Sequence, residues 1–208
     1  MDHNPKAIEI FNSNASLYEQ KYMDVSMYSN SLNVFCSALP TTSEILELAC
    51  GPGNVTKYIL EKKPTAKIIA TDLAPKMLAL AKRNCPKATT QLLDLRNIAQ
   101  LNKQFNAVVC AFGFPYLTKD EVTRFIKDAA SLLLPNGMIY FSTMEDEYSL
   151  SGIQTSSKGE EIYMYFHEAS YLKEALESKG FHLVLEERIR TIDLKGKEVI
   201  DLILIAKI

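Results

Sequence analysis

The sequence predicts an α/β domain built on a parallel sheet, and three observations carry that expectation. From about Ser43 onward, short apolar runs alternate with stretches of helical period, the pattern of a βαβ chain. A glycine-bearing turn, Cys50-Gly51-Pro52-Gly53-Asn54, joins the first apolar run to the first helix of that pattern. The chain has 208 residues, 47% of them hydrophobic, which suits one such domain with a short extension and excludes a disordered chain.

The elements follow in order. Residues 1–40 read as helical: Phe11, Ala15, Tyr18 and Tyr22 share one face, and Leu32, Phe35 and Cys36 another. The first strand covers residues 45–49, and the helix after the glycine turn carries Val55, Tyr58, Ile59 and Leu60. The second strand, 67–71, ends at Asp72. Pro75 then fits a first helical turn, where its missing N–H costs nothing. Met77, Leu78 and Ala81 form that helix's apolar face, and Pro86 lies just beyond it. The third strand, 91–93, ends at Asp94, and the fourth covers 107–111.

Thr118 and Glu121 have the spacing of a capping box. The helix they open has Val122, Phe125, Ile126, Ala129 and Leu133 at helical period. Pro135-Asn136-Gly137 turns the chain into a fifth strand at 138–141, and residues 144–167 form a long connection. A last helix covers 168–179, with Gly180 at the stop position. Strands at 181–189 and 199–206, around a Lys195-Gly196 turn, are too close for a helical crossover and pair as a hairpin.

Composition excludes several functions. The formal net charge is −2 with lysines scattered, so no basic footprint of a nucleic-acid binder is expected. No apolar run approaches the roughly 18–20 residues of a membrane span, and the polar start Met1-Asp2-His3-Asn4-Pro5 has no apolar signal region. Cys36, Cys50, Cys85 and Cys110 have neither C-x-x-C nor zinc spacing, so no metal site is expected. A reducing cytosol is the expected setting.

The chemistry gathers at residues 47–54. A glycine turn after a buried strand lets backbone approach a ligand, and in α/β sheets the ligand crevice lies at the carboxyl ends of the strands. A tight turn with no ligand is the competing reading. Asp72 lies 19 residues after Gly53, at the end of the second strand. That is where an acid accepts from ribose hydroxyls; its other reading is a helix cap. A dinucleotide fingerprint requires a third glycine where this chain has Thr56. Glu47 would repel a pyrophosphate and suit a ligand bearing an ammonium and a sulfonium.

These segments resemble the motifs of class I S-adenosylmethionine-dependent methyltransferases. The similar stretches are 45–54, Thr71-Asp72-Leu73-Ala74-Pro75-Lys76-Met77-Leu78, Leu93-Asp94-Leu95, 105–117, Leu134-Pro135-Asn136-Gly137-Met138 and 174–181, so the likeness spans about 44–208. It implies a Rossmann-like three-layer α/β sandwich with a seven-stranded, mostly parallel sheet whose last strand is antiparallel. Residues 1–40 would be a helical cover belonging to the same domain as a core at 41–208.

It also implies roles. Gly51 and Gly53 would flank the methionine part of the cofactor, and Glu47 would act near its amino group. Asp72 would hold the ribose beside Leu73, with Met77 on the adenine. Asp94 would accept from the adenine amine and the Leu95 N–H would reach a ring nitrogen. Ala111 and Phe112 would meet the methionine end by backbone. Asn14-Ala15-Ser16-Leu17-Tyr18 resembles the family's cover, which puts Tyr18 over the cofactor. Met77 as helix core and Asp94 as a cap or turn stay open as other readings. Ala49 stands where many members have glycine.

On the substrate side, Tyr22, Tyr28, Tyr116, Tyr163 and Tyr165 offer aromatic faces to a sulfonium or a planar acceptor, with core packing as the other reading. Methyl transfer needs positioning more than a catalytic group, so no catalytic residue is assigned. His167 is the histidine nearest the expected mouth. It could be a base, with a capping or exposed role at the helix start the favoured reading.

Phe112-Gly113-Phe114-Pro115-Tyr116 lacks the Asn/Asp-Pro-Pro-aromatic run of enzymes that methylate exocyclic amines of bases. The expected function is therefore methyl transfer from S-adenosylmethionine to a small molecule, by in-line attack of oxygen, nitrogen or carbon. A protein or tRNA acceptor, and a catalytically silent binder, are the alternatives; the acceptor and oligomeric state stay open.

Overall fold

In the computed structural model, residues 2–155, 159–192, 196 and 198–208 are described. Strands β1 (Glu44–Leu48), β2 (Lys67–Asp72), β3 (Thr89–Leu92), β4 (Phe105–Ala111) and β5 (Leu133–Glu145) pair in parallel. A small antiparallel pair, β6 (Gly152–Thr155) and β7 (Glu161–Met164), stands apart. The hairpin β8 (His182–Ile192) and β9 (Glu198–Lys207) completes a seven-stranded sheet in the order β3-β2-β1-β4-β5-β9-β8. Only β9 runs against its neighbours β5 and β8, as expected for the last strand.

Side-chain alternation along the strands builds two cores, one on each face of the sheet. Leu46, Leu48, Val108, Cys110, Ile139 and Phe141 belong to one. Ile45, Ala107, Val109, Met138 and Tyr140 belong to the other. Helices α1 (Asn4–Ser13), α2 (Ala15–Tyr22) and α3 (Ser29–Ala38) precede the sheet, α4 (Asn54–Lys62) and α5 (Pro75–Asn84) follow β1 and β2, and α6 (Lys119–Leu132) and α7 (Ala169–Glu177) complete the set. Val122, Phe125 and Ile126 of α6 and Leu172 of α7 fill the first core. Leu32, Phe35 and Cys36 of α3, with Val55 and Ile59 of α4, fill the second. No helix among the described residues is long and apolar enough to cross a membrane.

The N-terminal helices divide their tasks. The expected faces exist, but α3 packs on the sheet. Phe11 of α1 with Ala15 and Tyr18 of α2 instead packs on Ala74 and Met77 at the start of α5. The capping box forms: the Thr118 N–H donates to Glu121 Oε2 (2.8 Å) and the Glu121 N–H to Thr118 Oγ1 (3.3 Å).

Several boundaries differ from the sequence reading. β3 is shifted toward its N-terminus and largely exposed, so burial does not mark it. β5 begins before the Pro135 turn and runs to Glu145, because β9 pairs with it as far as Ile200. The connection 144–167 contains the β6–β7 pair, whose residues lie on no buried face that a sequence pattern could register. Gly180 ends α7 with φ +83°, a left-handed conformation that favours glycine. Gly196 is a bend at φ +80°; Lys195 lies outside the described residues.

His167 is not exposed as expected; it lies beside the loop after β4 and is fully buried in the core. Its Nε2–H donates to the Phe114 carbonyl (2.9 Å), which leaves Nδ1 to accept the Tyr171 hydroxyl. Both nitrogens are used, and burial pulls its pKa down to about 4.

Two outcomes follow for stability. Thr118→Ala removes one half of the capping box and should lower the unfolding free energy by about 1 kcal/mol in denaturant titration. The folded-state pKa of His167 lies below the unfolded value of about 6.5, so its stabilising contribution is complete above about pH 6.5. It is lost as pH falls toward 4, an effect on the order of 3 kcal/mol. His167→Gln should flatten the stability curve over that window; an unchanged acid slope in the variant would assign the loss to other groups.

Candidate active-site cleft

β1 has β2 on one side and β4 on the other, so the chain leaves β1 in one direction and returns for β4 in the other. A crevice opens at the carboxyl ends of strands where the order reverses in this way. The residues after β1 shape it. The Cys50 N–H donates to the Thr71 carbonyl (2.8 Å), the Gly51 N–H to Asp72 Oδ2 (2.8 Å) and the Ala74 N–H to Asp72 Oδ1 (2.8 Å). The Asp72 carboxylate thus ties the β1 turn to the start of α5. Burial raises its pKa against these amide bonds, which lower it.

The two glycines act differently. Gly51 has φ +53°, and a Cβ there would meet only Tyr18 Cε1, at 3.7 Å, so it supplies conformation beside open space. Gly53 has φ +85°, and a Cβ would press on Cys85 Sγ (3.1 Å) and Ala81 Cα (3.2 Å); it lets α4 start tight against α5 and does not line the cleft.

Ala49, the expected departure from glycine, has φ +53°, and Phe112 has φ +54°. Each left-handed residue of this kind costs roughly 1–3 kcal/mol. Bonds from the Phe112 N–H to the Ser142 carbonyl and Oγ, both 3.1 Å, hold the β4 loop in place. Gly113 lies between the two: a Cβ would sit 2.6 Å from Cys110 Sγ and 3.2 Å from Ala49 Cβ.

The cleft so formed contains about 760 Å³ of atom-free space, including its open mouth. Asp72, Ala49, Gly51 and Ala111 form its floor, and Leu73, Met77, Leu93 and Leu95 an apolar wall. Asn4, Ala7, Ile8 and Phe11 of α1 roof it together with Tyr18 and Tyr116. A smaller inner chamber shares Tyr18, Ala49, Gly51, Ala111 and Phe112, and adds Glu47, Tyr28, Asn54, Tyr140 and Ser142. Glu47 is buried, accepts the Thr56 hydroxyl at 2.5 Å, and burial pushes its pKa up to about 7. No Lys, Arg or His is among the residues lining either space.

Most sequence-derived residues converge here. Tyr18, Glu47, Ala49, Gly51, Asp72, Leu73, Met77, Leu95, Ala111, Phe112, Tyr28 and Tyr116 line the cleft or the chamber. Asp94 does not: it caps the next turn through the Arg96 N–H (2.9 Å) and grips the Arg96 guanidinium at 2.7–3.0 Å. Tyr22 is 42% exposed behind Tyr18. Tyr163 stacks on His3 with centroids 4.1 Å apart, and Tyr165 stacks on Tyr148, both outside the cleft.

The sequence reading missed the roof residues Asn4, Ala7 and Ile8, and also Gly113, Tyr140 and Ser142. Ala7 and Ile8 lie four and three residues before Phe11 and could have been read from its helical face. Tyr140 and Ser142 resemble any strand residues until the neighbouring loop is placed.

Residues 45–137 match the methyltransferase domain family. Malonyl-[acyl-carrier protein] O-methyltransferase of Priestia megaterium is 30% identical, over 64% of this chain and 49% of that protein. The tRNA N(3)-methylcytidine methyltransferase of Schizosaccharomyces pombe is 26% identical, over 77% and 73%. The chain spans about half the length of most of the curated relatives it matches best.

Magnesium protoporphyrin IX methyltransferase of Synechocystis PCC 6803, solved with bound S-adenosylmethionine, shares the fold over 100% of this chain and 97% of that one. The TM-score is 0.71 at 16% identity. The matched domain and the end-to-end fold are thus those of S-adenosylmethionine-dependent methyltransferases, to which this chain is similar.

Proposed function

We propose that this chain transfers the methyl group of S-adenosylmethionine to a small-molecule acceptor. One observation supports this above the others: the cleft at the strand-order reversal carries carboxylates and an apolar wall, and no cation lines it. That donor set fits a cationic nucleoside and opposes a pyrophosphate. When bound, S-adenosylmethionine supplies an electrophilic methyl on a sulfur that already leaves easily.

The chain's residues bind and position. Each Asp72 oxygen accepts one amide and keeps a lone pair for a ribose hydroxyl. Leu73, Met77, Leu93 and Leu95 pack on the adenine, and with Asp94 closed on Arg96 its polar edge is left to the Leu95 backbone. Glu47 serves the ammonium end beside Gly51, and the Ala111 and Phe112 backbone faces the methionine end. Residues 1–40 act as a cover of the core at 41–208, with α1 and Tyr18 keeping water out. Catalysis then rests on holding the nucleophile about 3–3.5 Å from the methyl group. No side chain is assigned to proton transfer in this reading. The four buried cysteines, none of them in a disulfide, support a cytosolic setting.

A tRNA acceptor is the second reading, supported by the likeness to the Schizosaccharomyces pombe protein. Adenosylhomocysteine release with a small-molecule panel, set against release with bulk tRNA, separates the two.

Thermal shifts with S-adenosylmethionine, S-adenosylhomocysteine and NAD test the cofactor. At 100 times its dissociation constant the true ligand adds about 2.7 kcal/mol, and a response to NAD alone would sink the reading. Asp72→Ala should weaken S-adenosylmethionine at least tenfold by calorimetry, and an unchanged affinity would remove Asp72 from the ribose site.

Ionised Glu47 favours a cationic ligand, and its pKa in the free protein is near 7. Affinity should therefore rise with pH between about 5.5 and 7, with proton release that differs between buffers of different protonation enthalpy. Glu47→Gln should abolish both effects; their persistence would assign the proton to another group.

A further inference from the structure

Charge is unevenly placed along this chain. Residues 54–88, from α4 to just past α5, hold eight Lys and Arg against two acids, one of which, Asp72, lies in the cleft. With a formal total of −2, the rest of the chain therefore carries −8. The net charge predicts no basic footprint, but the fold gathers one on a single side of the molecule. α4 and α5 both pack on the second core, the face of the sheet that α3 also covers, and α3 has no charged residue. Three ties draw helix ends together there: Asn54 Nδ2 donates to the Tyr22 carbonyl (3.0 Å), and Asn84 Nδ2 to the Pro52 carbonyl (2.9 Å) and to Glu19 Oε1 (2.6 Å). The end of α2, the start of α4 and the end of α5 thus meet, with Lys21, Lys57 and Lys82 exposed around the junction.

Architecture accounts for few of these cations. Lys67 is closed on Glu44 (3.2 Å) and Arg83 on Glu19 (2.5 Å). Among the described residues no ion pair holds Lys57, Lys62, Lys63, Lys76, Lys82 or Lys87. Elsewhere Arg96, Lys103, Lys173, Arg188 and Arg190 are each closed on a carboxylate. Lys62 and Lys82 lie in last turns, where the helix dipole favours a cation. The dipole opposes the other two: Lys57 ends the first turn of α4 and Lys76 is second in α5, and neither first turn holds an acid to offset them. The Lys76 N–H donates to Asn12 Oδ1 of α1 (2.9 Å), so the basic belt reaches the helix that roofs the cleft.

We propose that the exposed side of α4 and α5 is a docking surface for structured RNA, held through its phosphates. The cleft is a separate site, so the surface stands whichever acceptor the cleft takes. Three features favour an RNA backbone over other anions. The unpaired cations are all lysines, point charges on long stems that suit phosphate oxygens. The carboxylates of an acidic protein are best held by a guanidinium fork, and the one arginine here is already closed. None of the exposed large hydrophobic residues lies at 54–88, so the surface lacks the apolar centre of a protein interface and the apolar face of a membrane-bound helix. Finally, α4 and α5 are both packed on the sheet, so neither is free to enter a DNA major groove, whereas duplex RNA is recognised by shape and backbone. The two helices are each about 14–15 Å long, a span over which a duplex presents several phosphates.

The test is fluorescence anisotropy of labelled bulk tRNA with the full chain, at salt from about 50 to 200 mM. Binding should saturate at the low end and weaken steeply with salt. The log–log slope is about −0.9 for each phosphate neutralised on a duplex, so four contacts give roughly a 150-fold loss over that range. Lys57→Glu with Lys82→Glu should weaken binding at least about tenfold and make the slope shallower by about 2. Arg124→Glu with Lys127→Glu makes the same charge change on exposed residues of α6, which packs on the other core, and should change affinity no more than about threefold. Lys62→Glu with Lys87→Glu serves if the first variant melts early, and S-adenosylhomocysteine affinity should be the same in every folded variant. No saturable tRNA binding at the lowest salt, or equal weakening by the reversals on α4–α5 and on α6, would overturn the proposal. So would poly-glutamate competing as well as tRNA at equal charge, a DNA duplex competing better, or retention on phosphatidylserine vesicles with no tRNA binding; these outcomes would assign the surface to an acidic protein, to DNA or to a membrane. Failure of S-adenosylhomocysteine to bind the parent chain would instead count against the methyltransferase reading.

Discussion

The structure turns on one carboxylate. Asp72 accepts the Gly51 amide with one oxygen and the Ala74 amide with the other, so a single side chain at the end of β2 fixes both the turn after β1 and the entry to α5. Everything around the cleft is measured from that clamp. Met77 projects from the helix it starts, Gly51 opens the floor, and Tyr18 closes over both. In the proposed function the same carboxylate holds the sugar, which would join the stability of the site to its recognition.

A second feature is backbone held in left-handed conformations where side chains resist them. Ala49 and Phe112 approach each other across Gly113, each at a positive φ. Such strain persists only where surroundings over-determine it. Here the determinants are the two hydrogen bonds from the Phe112 N–H to Ser142 and the tight packing of Gly113 on Cys110. The outcome is a floor of main chain, close to any ligand and shaped before one arrives. That fits a reaction that depends on position more than on proton transfer.

The polar groups fall into two classes. Arg96 and Arg188 are closed on Asp94 and Glu145 and serve architecture. Glu47, Asp72 and Asp201 are buried, bonded to hydroxyls or amides and free of cations among the described residues. Glu47 lines the chamber and Asp72 the cleft with no Lys, Arg or His among the lining residues, the distribution on which the proposed preference for a cationic ligand rests. His167 illustrates the converse: a histidine near the right place in the chain, neutral and fully used inside the core.

The alternation of apolar runs, the Gly51 turn and the acid at Asp72 were enough, from the sequence, for the parallel sheet, its helices and the cofactor-side floor. These are local patterns: period, turn chemistry and strand ends depend on neighbours a few residues away. The Thr118–Glu121 capping box and the Gly180 stop were legible for the same reason. Only the tertiary structure decided what Asp94, His167, Tyr22 and Gly53 do, because each has a local reading that fits equally well until its distant neighbour is placed. It alone brought α1 over the cleft, the β6–β7 pair out of the long connection, and Tyr28 onto Asp201 across 173 positions of chain. Contacts of that separation are set by how whole layers pack, and no spacing along the chain encodes them.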